Sequence, residues 1–247
     1  MKKRLLILGM IFTMVVSSAG CGSSSSDNAG KTDQTKQTAD VQDSQKDTSS
    51  SDKSDDKNDT SYKSADEITM DDLMSHDETP AEDFEFNDST DNIIIEKYVG
   101  KDPIVVIPDE IDGKKVVGFE SAFTLNNNIV AVKIGNNVQE VENSAFSGCK
   151  QLKYVVMGDS VKTIGGRMFA QTNLQELVLN DGLQKIGQDD SNNVLAPPSS
   201  NCGMDLKIPE SVTELHVSEF NLIGKSGSYA EQYANEHADA GVTFTAE

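Results

Sequence analysis

The sequence predicts a β-rich solenoid, a fold of short stacked coils, from three observations. Phe123, Phe146 and Phe169 recur at an interval of 23 residues. Ile129 and Leu152 also stand 23 apart, and Leu174 follows 22 later. Around these marks the apolar residues keep one phase: Val132, Ile134, Val138 and Val141 are matched by Val155, Met157, Val161 and Ile164, then by Leu177, Leu179, Leu183 and Ile186. A fixed period of this size marks an architecture in which no repeat buries its apolar side alone, so that stacked neighbours share one core.

Not all of the 247 residues belong to that fold. Lys2, Lys3 and Arg4 precede an apolar run from Leu5 to Val16, and small residues lead from there to Cys21. This order is that of a secretory signal peptide. The run is shorter than the roughly 20 residues that a membrane-spanning helix needs. Ser18-Ala19-Gly20-Cys21 resembles the lipobox of bacterial lipoproteins, departing from it at Ser18, where Leu is usual. The resemblance implies that residues 1–21 are leader and lipobox and that the Cys21 thiol carries a diacylglyceryl group. Two acyl chains are enough for stable attachment. Cleavage after Ala19 would instead release a secreted, unlipidated protein.

Residues 22–63 are Ser, Asp, Lys, Thr and Gln with almost no apolar residue. Such a segment cannot bury enough surface to offset its chain entropy, so a disordered linker is expected. It would span on the order of 40 Å as a coil and on the order of 140 Å stretched. Within residues 64–80, Ser64-Ala65-Asp66-Glu67 has the form of a capping box, and Ile68, Met70, Leu73 and Met74 follow. That pattern predicts a short amphipathic helix near residues 66–75, ended by Pro80.

The repeat domain is placed at residues 82–247. Phe84, Phe86, Ile93, Ile95 and Tyr98 alternate on either side of Asn87-Asp88-Ser89-Thr90-Asp91, which predicts a hairpin capping the first coil. In each repeat a Val132-x-Ile134 alternation predicts a strand. Gly135-Asn136-Asn137 then predicts a turn, and Ala145-Phe146 plugs the core from a second turn. In the repeat starting at Leu174 the aromatic position is Ser191, and Asp189-Asp190-Ser191-Asn192-Asn193 with Pro197-Pro198 predicts an opened surface loop. A last copy reads Leu206, Ile208, Val212 and Leu215. Ser228-x-x-Glu231, with Tyr229 and Tyr233 four apart, predicts a helical cap, and Val242-Thr243-Phe244 a final extended piece.

Val106-Ile107-Pro108-Asp109-Glu110-Ile111-Asp112-Gly113-Lys114-Lys115-Val116 is similar to the opening of BspA-like leucine-rich repeat domains. So are Glu142-Asn143-Ser144-Ala145-Phe146-Ser147-Gly148-Cys149 and Val161-Lys162-Thr163-Ile164-Gly165. The resemblance runs from about Phe84 to Glu247. It implies a right-handed solenoid on a bacterial cell surface, often lipid-anchored, with adhesion as a common role and no catalytic residues to carry over.

Charge excludes one class of partner. Residues 1–21 carry +3, residues 22–80 carry −9 and residues 81–247 carry −14, for a net charge of −20. Nucleic acid is therefore not an expected partner, and any membrane attachment must come from lipid rather than charge. Besides Cys21 there are Cys149 and Cys202, about two repeats apart, expected as buried free thiols. His76, His216 and His237 are scattered and pair with no metal-spaced partner, so neither a metal site nor a cofactor is expected. The Asp189–Asn193 run offers oxygen ligands for calcium, but lacks the Gly and distal Glu of an EF-hand loop; a solvated loop is the simpler reading.

The candidate ligand-binding residues lie on the outward strand face. Lys133, Val156, Val178 and Lys207 form one column, with Val106 ahead of them, and Ala131, Tyr154 and Glu176 form a second. Tyr154, Val156 and Val178 would make an outward apolar cluster of the kind that marks contacts. The opposing reading, that β-branched residues simply suit a strand face, stays open. The expected function is a surface-anchored, non-enzymatic binding or adhesion module for protein or glycan, on the extracellular face of a bacterial membrane. The alternatives are a solute-binding lipoprotein of a transporter and a secreted repeat protein.

Overall fold

Alternation within short strands and turn residues between them wind the chain into coils. The computed structural model describes residues 62–88, 90–119, 121–188, 195–197, 201 and 203–247. The expected leader with Cys21, the linker through residue 61, the Asp189–Asn193 run and Cys202 lie outside the described residues.

Helix α1 (Met70–Ser75) comes first, shorter than the 66–75 helix expected. Its N-cap is Thr69, in a capping box with Asp72. At the box expected at Ser64 only half of the exchange is made: the Ser64 N–H and hydroxyl both donate to the Glu67 carboxylate, while the Glu67 N–H donates to the Ser64 carbonyl in an isolated turn. Strands β1 (Phe84–Asn87) and β2 (Asn92–Tyr98) pair antiparallel as the capping hairpin. The first coil holds β3 (Ile104–Val106), β4 (Glu110–Ile111) and β5 (Lys114–Phe119), and β2 extends its sheet by pairing with β5. Each of the next coils has two strands: β6 (Ala131–Lys133) and β7 (Glu140–Val141), β8 (Tyr154–Val156) and β9 (Thr163–Ile164), β10 (Glu176–Val178) and β11 (Lys185–Ile186), and β12 (Asp205–Lys207) and β13 (Glu214–Leu215).

A further coil follows that the repeat pattern does not predict. It holds β14 (Asn221–Gly224) and α2 (Tyr229–Glu236), and β15 (Thr243–Ala246) then adds parallel to β14. The helix thus takes the place of a second strand in the last coil, ahead of the final extended piece, in the order the sequence predicts. Its N-cap is Ser228, as the Ser-x-x-Glu pattern predicts, while the Glu231 carboxylate accepts from the Gly227 N–H.

The coils stack as parallel ladders. On the first strand face the order is β3, β6, β8, β10, and on the second it is β7, β9, β11, β13. Register puts Val105, Val132, Val155 and Leu177 in one inward column. The Phe123, Phe146 and Phe169 rings form a buried spine, with centroids 5.4 Å and 6.5 Å apart and the planes of the second pair nearly parallel at 7°. Two backbone columns accompany it. Ser121, Ser144 and Arg167 are left-handed, as are Leu125, Gly148 and Gln171. A turn that must bend this way does so whatever its residue, and Gly does so without the steric cost. Gly158 answers a different need: a Cβ there would lie 2.2 Å from the Gly135 carbonyl oxygen. Cys149 is a buried free thiol that donates to the Phe123 carbonyl oxygen at 2.8 Å.

Candidate functional site

The strand registers place the two outward columns where alternation predicts them. Ile104, Ala131, Tyr154 and Glu176 align in one, and Val106, Lys133, Val156 and Val178 in the other. Lys207 is separated from the rest of its expected column. It lies on β12, which pairs with β14 and not with β10. The first-face ladder is therefore cut in two, with four strands before the break and three after it.

The chain itself covers the earlier rungs. Ile68 and Leu73, with Ala65 and Met70 beside them, pack on Ile104, Val106, Ala131 and Val156. Lys153 fastens this cover: its ammonium donates to the Ala65 carbonyl oxygen at 2.9 Å and meets the Asp66 carboxylate at 3.1 Å. Thr79 closes the free edge of β3, its N–H donating to the Val106 carbonyl and its hydroxyl accepting from the Val106 N–H, both at 2.9 Å. The expected outward apolar cluster is thereby divided. Val156 is buried at 7% exposure, Tyr154 and Lys133 are half-buried, and Glu176 and Val178 stay open, Val178 at 39%. An apolar strand face left bare would cost about 25 cal/mol per Å², which is the physical reason the helix docks there.

The open residues line a cleft. A cavity of about 710 Å³ lies between β10 and β12, bordered by Glu176, Leu177, Val178, Asp205 and Lys207. It opens because the two coils meet on only part of their perimeter. β11 pairs with β13 on the second face, and Leu195 bridges Val217 on the third side. On the first face Asn201 reaches back to the Leu174 carbonyl oxygen at 3.0 Å, and no strand pairing joins β10 to β12 among the described residues. The Lys207 ammonium pairs with Glu247 at 2.7 Å. Asp205 and Asn201, which sequence reasoning did not single out, belong to this rim. The only available signal was the loss of the 23-residue period after Ile186.

The histidines have structural neighbours. His76 lies 3.4 Å from Asp102, His216 lies 3.1 Å from Glu214, and His237 stacks on Tyr233 with centroids 3.9 Å apart. The Lys185 ammonium, and then His216, hold the Glu214 carboxyl below the usual carboxylate range. Among the described residues no group of three or more His, Cys, Asp or Glu is arranged to hold a metal ion. No helix among them is long and apolar enough to cross a membrane.

Residues 119–194 match the BspA type leucine-rich repeat region in 6 copies. The chain is similar to the leucine-rich repeat protein of T. pallidum (TpLRR) at 30% identity, over 60% of this chain and 71% of that one, with a TM-score of 0.49. It is also similar to a leucine-rich repeat protein from Bacteroides ovatus at 18% identity, over 60% of this chain and 43% of that one, with a TM-score of 0.41. No curated protein matches the chain.

Proposed function

Since the chain belongs to the BspA-type leucine-rich repeat family, we propose that it is a lipid-anchored bacterial surface protein. In this reading it presents its solenoid to a protein or glycan partner and performs no catalysis. The observation that carries this reading is the open end of the outward strand face. Glu176, Val178 and Lys207 border a cleft, while the same columns one and two coils earlier are covered by the chain's own helix. An exposed apolar residue ringed by charge beside a cavity of this size has the make-up of a recognition surface. A transporter's solute receptor would need two α/β lobes, which the β-coils of the described residues do not supply.

The anchor rests on Cys21 and its lipobox resemblance alone. Intact-mass analysis of detergent-extracted protein should show a diacylglyceryl adduct at Cys21, and Cys21→Ala should move the protein from membrane to medium. A free Cys21, or a mature chain starting at Gly20, would sink the anchor. For the surface, Glu176→Ala with Val178→Ser should weaken binding to arrayed matrix proteins and glycans at least tenfold with little change in melting temperature. Unchanged binding by that double variant removes this end of the face from consideration.

A further inference from the structure

We infer that the cleft between β10 and β12 receives an extended peptide segment of a partner protein, which adds to the solenoid as a parallel strand between them. The inference rests on the binding reading above and names the partner's chemistry.

Backbone phase carries the argument. On β8 the Tyr154 N–H donates to Val130 and the Val156 carbonyl accepts from Ile134, so these residues face the preceding coil. The residues between and beside them face the next coil: Lys153 accepts from Glu176, and Met157 donates to Val178. Val155 shares that direction, because parallel ladders alternate residue by residue. Leu177 is in register with Val155. Its N–H and C=O therefore face the cleft, as does the Leu179 N–H. On β12, Met204 accepts from Asn221 and Ile208 donates to Ile223, so those positions face β14. The Asp205 and Lys207 backbones must then face the cleft from the other side. Two strand edges with matching direction and phase thus confront each other across the cavity, and no backbone hydrogen bond joins them among the described residues. The end of the same ladder at β3 is closed by Thr79.

Edges of this kind are completed by adding a strand, the backbone supplying affinity and alternate side chains supplying specificity. The columns state which side chains fit. The central residue of the added strand falls in line with Leu177 and Leu206, both inward and buried, and so is aliphatic. The residue before it lies between Glu176 and Asp205, two carboxylates on neighbouring rungs, and so is basic. The residue after it lies between Val178 and Lys207. A chain of net charge −20 draws in such a basic segment over a wider range.

The probe is a fluorescein-labelled pentapeptide, Ser-Lys-Leu-Val-Thr, titrated into the full-length protein in detergent and followed by anisotropy. It should bind saturably. N-methylation of its central Leu, or Glu in place of its Lys, should each weaken binding at least tenfold. Amide exchange should slow at Leu177, Leu179, Asp205 and Lys207 when peptide is added, and stay unchanged at Val155 and Leu206. Lys207→Pro removes one cleft-facing N–H and no bond to β14, and should lower affinity at least tenfold. Lys207→Ala, which keeps that N–H, should lower it less than Lys207→Pro does. No binding up to millimolar peptide overturns the inference, as does equal affinity for the N-methylated peptide or protection elsewhere on the surface. If Lys207→Pro fails to fold, the N-methyl comparison and the exchange pattern on the natural chain still decide. If matrix proteins or glycans bind while the β10 and β12 amides stay unprotected, strand addition falls and the wider binding reading stands. If nothing binds, both fall.

Discussion

Phe146 sits between Phe123 and Phe169, and none of the three rings reaches solvent. Its loss would open a cavity at the centre of the spine, so Phe146→Ala should cost about 3–5 kcal/mol in urea unfolding. Two residues on, Gly148 is left-handed at φ +77°, and a Cβ there would lie 2.5 Å from the Leu125 side chain. Gly148→Ala should destabilise by roughly 1–2 kcal/mol from the backbone alone, whereas Gln171→Gly, one coil later in the same left-handed column, should be tolerated. Burial pushes the Cys149 thiol up to about 11. At pH 8 the native protein should therefore leave the Cys149 peptide unlabelled by iodoacetamide, and unfolding should expose it. The Phe column was legible in the sequence because a large aromatic recurs at a fixed spacing when each coil needs the same core space filled. The left-handed columns were not, since Ser144, Arg167 and Gln171 carry no glycine signature.

Helix α1 is too short to be stable alone, and its order comes from docking. Leu73 is fully buried against the sheet, so Leu73→Ala should release residues 65–75. Amide exchange there should accelerate at least tenfold and dye binding to the uncovered strand face should rise, while the spine stays folded. The Lys63 ammonium, and then the Thr69 backbone and hydroxyl, hold the Asp72 carboxyl below its ordinary value. A carboxyl with a lowered folded value stabilises the docked helix above its unfolded pKa of about 3.9. That contribution is lost as the pH falls through the lower folded value. Protection of the Met70–Ser75 amides relative to their intrinsic exchange rates should therefore fall below about pH 4, and Asp72→Asn should show the loosened helix already at neutral pH. The segment's amphipathic pattern was legible, but its cap was misplaced by five residues, at Ser64 instead of Thr69. Both sites satisfy the same local rule, and only the docked geometry chooses between them.

Across the molecule, the second-face ladder runs unbroken from β7 to β13 while the first-face ladder is cut between β10 and β12. The coils on either side of the cut depend on the β11–β13 pairing and on Leu195, which is fully buried and bridges Val217. Leu195→Ala should cost about 2–5 kcal/mol, and its effect on exchange should spread to both coils if they unfold as one unit. Equal and separate transitions for the two ladders would show instead that the cut divides the domain into independent parts.

The 23-residue period by itself determined the solenoid, the inward columns and the aromatic spine, because side-chain alternation and a shared core leave one phase that buries the apolar residues. It could not determine which outward residues meet solvent. Val156 and Val178 occupy equivalent places in successive coils, yet Val156 is covered by Ile68 and Leu73 and Val178 borders an open cleft. That difference comes from the docking of a helix distant in sequence and from a ladder that fails to close between two coils. Both are long-range events that no local pattern encodes, and only the tertiary structure decided them.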